Sequence, residues 1–401
     1  MLEFNALPVI YELCYAAENV LSHNGFLKEL VIIFFAVKIL GHFSVKLGQP
    51  SIFGKLLVGL ILGPSFLNIL HANIVLKELS QLGVLLLMFL AGLETNLSDL
   101  KSTAFPSLLT AVGGVILPLA GGTAMGLLSG YDFNISLFIG VVLVATSVSI
   151  SVQTLLELNR LNSKEGLTIL GAAVIDDILG LAILSMVMSI TLGGAEVTLL
   201  GMVVLKTIAF FIFALLAGYL IIPVIMFLAS KVLVTEGKLT FSLIIVFMLS
   251  LAAEYLGLAG IVGAYFAGIM LSRGSYRQEL TEKVEAFGHS FFFPIFFVSI
   301  GVVADINSLT DQLIIFTAVM SVIAVFTKLI GSGMGAFLGG FGVSSALAIG
   351  AGMVSRGEVA LIVSHIGLTA GLLSIDLYTS LVSVTIFTTM ITPILIKSFF
   401  R

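Results

Sequence analysis

Asp176 and Asp177 stand side by side in Gly171-Ala172-Ala173-Val174-Ile175-Asp176-Asp177-Ile178, about halfway along an apolar run at residues 166–190. An ionisable group at the centre of a bilayer costs about 2.5–3.5 kcal/mol even on a lenient insertion scale, so each needs a chemical reason. Adjacent helical residues point about 100° apart. One carboxylate can therefore line a cavity while the other meets a neighbouring helix. Burial and mutual repulsion both favour the protonated acid, and an acid so poised holds either a proton or a cation. That competition is the minimum chemistry of a cation/proton exchange. Lys328, deep in the run 311–338, is the natural partner for one of the two acids. The pair either pins two helices together permanently, or lets Lys328 release its partner, and its proton, when a cation binds. Intramembrane charges are functional often enough to favour the second reading.

A further charged group is Ser355-Arg356-Gly357-Glu358. Here the structural reading is preferred: Arg356 and Glu358 form a charged pair that satisfies the loose ends of a broken helix. Lys38 and Lys206 have no evident partner, and long stems can snorkel toward an interface. Glu254 and Asp305 fall near span ends, where water reaches them. His42 and His365 can be embedded, but no two histidines have metal-ligand spacing.

These residues need a membrane scaffold to position them. Of 401 residues, 59% are hydrophobic and 10% charged, with a mean hydropathy of +1.21. A soluble domain carries about 25% charged residues. Thirteen apolar spans are expected at 28–47, 52–70, 78–95, 102–128, 134–157, 166–190, 198–229, 239–256, 257–272, 285–303, 311–338, 343–369 and 375–398. Residues 1–25 form an N-terminal segment carrying Glu3, Glu12 and Glu18, expected to lie at the interface, with an additional span as the weaker option. The single cysteine, Cys14, excludes an intramolecular disulfide and a cysteine metal cluster. No basic patch suggests nucleic acid, and no positively charged leader precedes the first span. Counting Lys and Arg in alternate loops places twelve on one side and two on the other, with four inside spans. The positive-inside rule then makes the C-terminus cytoplasmic.

Three segments recur at one spacing. Leu47 and Leu256, Gly59 and Gly268, and Gly92 and Gly301 are each 209 residues apart. Span 1 then corresponds to span 8, and an odd shift inverts the second copy. The expected fold is an all-α polytopic membrane protein of about thirteen helices. It has two inverted six-helix repeats, at 28–190 and 239–398, and a linking helix at 198–229. Inverted repeats mark secondary transporters, whose site lies near the midplane between repeats. Spans 5 and 12 correspond and hold the most polar mid-membrane stretches, Ala145-Thr146-Ser147-Val148-Ser149-Ile150-Ser151 and Gly350 to Glu358. Small and hydroxylated residues there allow discontinuous crossing helices whose free ends face an ion, although small residues also simply permit close packing.

At these residues a resemblance becomes specific. Lys46-Leu47-Gly48-Gln49-Pro50 to Gly63-Pro64, Ala145-Thr146-Ser147-Val148, Gly171 to Asp177, Gly260-Ile261-Val262-Gly263-Ala264, Lys328 and Arg356-Gly357-Glu358 together are similar to the bacterial monovalent cation:proton antiporters of the NapA type. The similarity covers about residues 26–398. It implies a dimer domain, a core domain moving like an elevator, and a homodimer in the inner membrane among lipid. It also implies Asp177 as the essential cation- and proton-binding carboxylate, Asp176 as the partner of Lys328, and Thr146 and Ser147 as contributors to the ion site. No cofactor is implied beyond the transported Na+, Li+ or K+ and H+. Potassium relatives often carry Gln at the first aspartate, so Asp176 leans toward sodium or lithium, with K+/H+ exchange as the alternative. With its last residue at Arg401, the sequence is expected to lack the cytosolic nucleotide-binding domain of many potassium-efflux relatives.

Three other classes compete. A sodium-coupled symporter of an organic solute needs a roomy cavity with groups to grip it. An intramembrane aspartyl protease needs carboxylates converging from different helices, whereas Asp176 and Asp177 are adjacent on one. A passive channel needs a filter, and no stretch resembles one.

Overall fold

Proline and glycine set many of the helix boundaries. The computed structural model describes residues 6–95, 101–192, 198–233, 235–303 and 311–400, and every regular element among them is helical. Side chains before residue 25, and those of 185, 189–192, 198–200, 203, 204, 311, 312 and 358, lie outside the description, as does Asp305. Ahead of the link stand α1 (Ala6–Lys46), α2 (Ser51–Leu62), α3 (Ile74–Glu94), α4 (Ala104–Leu128), α5 (Phe133–Val144), α6 (Val148–Glu157) and α7 (Lys164–Leu192). A link follows, α8 (Thr198–Leu216) and α9 (Ile222–Lys231). After the link come α10 (Gly237–Tyr255), α11 (Gly260–Leu271), α12 (Arg277–Phe287), α13 (Phe293–Val302), α14 (Asp311–Leu338), α15 (Val343–Gly352), α16 (Glu358–Thr369) and α17 (Ile375–Phe399).

Among the described residues, nine helical stretches are long and apolar enough to cross a membrane. Four shorter apolar helices lie within α2, α11, α15 and α16. Together with α1 these follow the expected spans in order. α1 is a 41-residue helix without a break, about 60 Å long. That is about twice a bilayer's hydrocarbon thickness, and its first part is the segment expected at the interface.

α2 ends eight residues before the expected limit of its span. Pro64 disfavours helical geometry at the residue before it, and Gly63 is extended. The chain folds back, so that Leu67, Ile69 and Leu70 donate to the carbonyls of Ile61 and Leu62. Asn73 starts α3 by accepting the Leu76 N–H at 2.8 Å, and Ser374 caps α17 the same way. Single π-helical turns, Ala217–Ile221 and Gly288–Phe292, join α8 to α9 and α12 to α13. Each sits beside a proline, Pro223 or Pro294, that removes a backbone donor.

The repeat spacing extends to whole elements. α2 and α11 begin, and end, 209 residues apart, and α10 lies at that distance from the last 19 residues of α1. The turns before α2 and α11 each need a left-handed residue, filled by Gly48 at φ +74° and Gly257 at φ +85°. The two halves interlock. A Cβ at Gly59 would stand 2.1 Å from the Val298 carbonyl, and one at Gly268 would stand 2.3 Å from that of Phe89. Val298 and Phe89 are themselves 209 apart. α2 therefore packs on α13, and α11 on α3, across the repeats.

Two groups of helices result. α1, α2, α3, α10, α11, α12 and α13 pack together, as do α4, α5, α6, α7, α14, α15, α16 and α17. Each group takes helices from both repeats. The second is centred on the pair α4 and α14, brought close by Gly113 against Gly331 and Gly335 against Leu109.

Candidate functional site

The hydroxyl- and glycine-rich stretches are where two helices of the second group are interrupted. α5 stops at Val144 and α6 begins at Val148; α15 stops at Gly352 and α16 begins at Glu358. The two interruptions cross. The Ser147 N–H donates to the Ser355 carbonyl at 2.8 Å, and the Ser355 hydroxyl donates back to the Ser147 carbonyl. The Ser151 hydroxyl donates to the Gly352 carbonyl and stands 3.2 Å from the Ser355 hydroxyl. At Gly357 a Cβ would meet the Ser147 hydroxyl at 2.7 Å, so only glycine lets the strands pass. The Thr389 hydroxyl of α17 holds the Arg356 carbonyl.

An interrupted helix leaves carbonyls unpaired at its C-terminal end, where the partial charge is negative. Two buried cations meet that end of α5. The Arg356 guanidinium donates to the Leu143 carbonyl at 2.8 Å and to the Ala324 carbonyl of α14 at 3.1 Å. The Lys328 ammonium donates to the carbonyls of Val144 and Gly114, each at 2.8 Å, and to Asp176 Oδ1 at 2.9 Å. An ammonium has three donors, and all three are used. Lys328 and Arg356 are fully buried and Asp176 is 1% exposed.

Of the candidate residues, the structure joins Asp176 to Lys328 and places Thr146 and Ser147 at the same crossing. The Thr146 hydroxyl stands beside the Asp176 carboxylate and reaches the Val144 carbonyl at 3.5 Å. Asp176 Oδ2 is buried and accepts no hydrogen bond among the described residues. Asp177, one position around α7, is half-buried and within electrostatic reach of Lys328. Arg356 spends its hydrogen bonds on backbone carbonyls, and its expected partner Glu358 has a side chain outside the description. Among the described residues no three His, Cys, Asp or Glu gather as a metal site.

A cavity of about 680 Å³ leads from Asn73, Lys77 and His365 to Ser147, between α3, α13 and α16. On the opposite side a pocket of about 260 Å³ stops at Gln153 and Glu157. The crossing is thus approached by a cavity from the first side.

Sequence reasoning missed the bonding of Ser151 and Ser355 and the buried hydroxyls of α17. Thr385, Thr388, Thr389 and Thr392 recur three or four residues apart on that helix, which was a readable signal. Lys55 lies in the first turns of α2 and is buried beside Glu157, because the helix starts directly after Pro50.

The chain belongs to the sodium/hydrogen exchanger family, whose transmembrane model matches residues 31–401. It is 47% identical over 372 residues to the probable Na(+)/H(+) antiporter GerT of Bacillus cereus, covering 93% of this chain and 98% of that protein. It is 46% identical to the Na(+)/H(+)-K(+) antiporter GerN of the same organism, covering 93% and 95%. An Na(+)/H(+) antiporter of Enterococcus hirae is 41% identical, covering 93% and 98%. The fold matches that of the sodium proton antiporter MjNhaP1 from Methanocaldococcus jannaschii with a TM-score of 0.67, at 16% identity, over 93% and 96% of the two chains. These relatives are transporters, not enzymes.

Proposed function

We propose that the chain is a secondary active transporter exchanging Na+ for H+ across a bacterial inner membrane. The observation that carries this reading is the Lys328–Asp176 pair at the crossing, with the half-buried Asp177 beside it. Asp177 binds Na+ or a proton, with Thr146 and Ser147 supplying oxygens. Li+ fits the same hard oxygen donors. Cation entry draws Asp176 away from Lys328. A neutral lysine amine keeps two N–H donors, the number needed for the carbonyls of Gly114 and Val144. Lys328 can therefore lose its proton without leaving either carbonyl unpaired, so its charge can enter the exchange cycle.

Alternating access follows from an elevator-like displacement of the second helix group, with Ser147 and Asp177, against the first, which forms the homodimer. The Lys/Arg-rich ends face the cytoplasm by the positive-inside rule. The cavity reaching Ser147 then opens outward. A second reading, in which K+ also exchanges, is supported by the 46% identity to an antiporter named for potassium as well as sodium.

The test is purified protein in liposomes with an internal pH dye, given Na+, Li+ and K+ in turn. Cation-driven proton movement lost in Asp177→Asn supports the reading and ranks the ions. No proton movement with any cation in the wild type would overturn it.

A further inference from the structure

We infer that Glu157, Ser51 and Lys55 form a latch between the two helix groups that biases the protein toward the state in which the ion site faces the opposite side. The inference rests on the alternating-access reading above and names the residues that set its resting position.

Glu157 ends α6, the helix that leaves the crossing at Ser147. Its carboxylate reaches out of the second group to the start of α2 in the first. It accepts the Ser51 N–H at 2.7 Å and the Ser51 hydroxyl, with Lys55 Nζ at 3.8 Å and Gln153 Nε2 at 3.3 Å. A carboxylate on a free helix N-terminus, with a lysine one turn further on, is a charge-assisted contact. It is shielded, since the Lys55 and Glu157 side chains are 11% and 19% exposed. Any displacement of α6 along α2 has to break it.

The inverted repeat supplies an internal comparison. At the 209-residue spacing Ser51 and Lys55 correspond to Gly260 and Ala264, and because α6 and α16 end 212 residues apart, Glu157 corresponds to Thr369. None of the three can form an ion pair. The N-terminus of α11 is approached instead by Glu254 of α10, whose Oε1 would lie 2.4 Å from a Cβ on Gly260. That carboxylate belongs to the same helix group as α11 and moves with it. Thr369, the counterpart of Glu157, spends its hydroxyl on the carbonyls of His365 and Ile366 in its own helix, and Leu361, Ile362 and Ile366 of that helix line the 680 Å³ cavity. One seam is therefore latched by charge and shut between Gln153 and Ser147, while among the described residues no such latch joins the related seam, which stands open. Two repeats of one fold differ here in the residues that hold the groups together, and the conformation follows that difference.

Removing the latch shifts the population toward the state open at Glu157. Two reporters in a Cys14→Ser background measure it with a membrane-impermeant maleimide. Leu361→Cys lines the open cavity, and Leu90→Cys lines the small pocket beside Glu157. In Glu157→Gln, which keeps the side-chain shape, labelling at Leu361→Cys should slow and labelling at Leu90→Cys should quicken, the ratio of the two rates changing by about tenfold, equivalent to about 1.4 kcal/mol. Lys55→Met removes one partner and should move both in the same directions by less. Unchanged rates at both positions would overturn the latch. So would a rise at both, since loosened packing exposes the two seams together. Labelling needs no cation gradient, so the reporters decide the latch even if the wild type exchanges no sodium, a result that would instead remove the reading of the ion site.

Discussion

Lys328 donates to Asp176 Oδ1 at 2.9 Å, while Oδ2 of the same carboxylate accepts no hydrogen bond among the described residues. A buried carboxylate with one oxygen unserved is costly to keep. Lys328, by contrast, is fully engaged, two of its three bonds going to helix carbonyls. The two partners are therefore unequal. The lysine is anchored by the scaffold, and the aspartate is the member free to change its company.

Asp177→Asn should reduce cation-driven proton movement to the level of empty liposomes. The residue is half-buried on α7, so the isosteric amide should leave the unfolding temperature within a few degrees, for a change of about 0.5 kcal/mol or less. Transport near the wild-type rate would remove Asp177 from the mechanism.

Lys328→Gln should destabilise the protein by about 3–5 kcal/mol, because it strands the Asp176 charge in a dry interior. Asp176→Asn added to Lys328→Gln should recover a large part of that loss. Denaturation in detergent checks it, and additive single effects would show the pair to be uncoupled. In variants that still transport, Lys328→Gln should also alter the charge moved per cycle.

Arg356→Lys should cost about 1–3 kcal/mol and slow exchange. The guanidinium fork bridges the carbonyls of Leu143 and Ala324 on different helices, and a lysine amine lacks that reach and planarity. Equal stability of the two proteins, measured by thermal unfolding, would mean that the α5 end needs only a positive charge.

Gly59→Ala and Gly268→Ala should each cost about 1–3 kcal/mol through overpacking, since each Cβ would press on a backbone carbonyl of another helix. Gly201→Ala meets nothing within 4 Å and should be neutral or mildly stabilising, because alanine is the better helix former. Comparable losses at all three positions would contradict the packing described.

The membrane class, the helix order and the inversion were legible because hydropathy, charge asymmetry and the spacing of Gly59, Gly92, Gly268 and Gly301 are properties of the linear chain. The Asp176–Lys328 pair was legible for a different reason. Two charges stranded in apolar runs leave few possible partners. The early end of α2 was not visible, since a hydropathy window averages across Gly63 and Pro64 and follows the apolar residues beyond them. Nor were the partners of Arg356, because main-chain carbonyls freed at a helix break carry no residue-type signal. Glu157 and Ser51 are 106 positions apart, and nothing local to either announces the other.

The interlocking of the halves also sets an order of assembly. Gly59 of α2 is shaped for α13, and Gly92 of α3 for α11. While the chain is being made, α2 and α3 enter the bilayer long before either partner exists. Their bare glycine grooves must wait in lipid until the second half arrives. A chain severed after α9 would give two fragments that are each incomplete in the membrane and mature only by finding one another there.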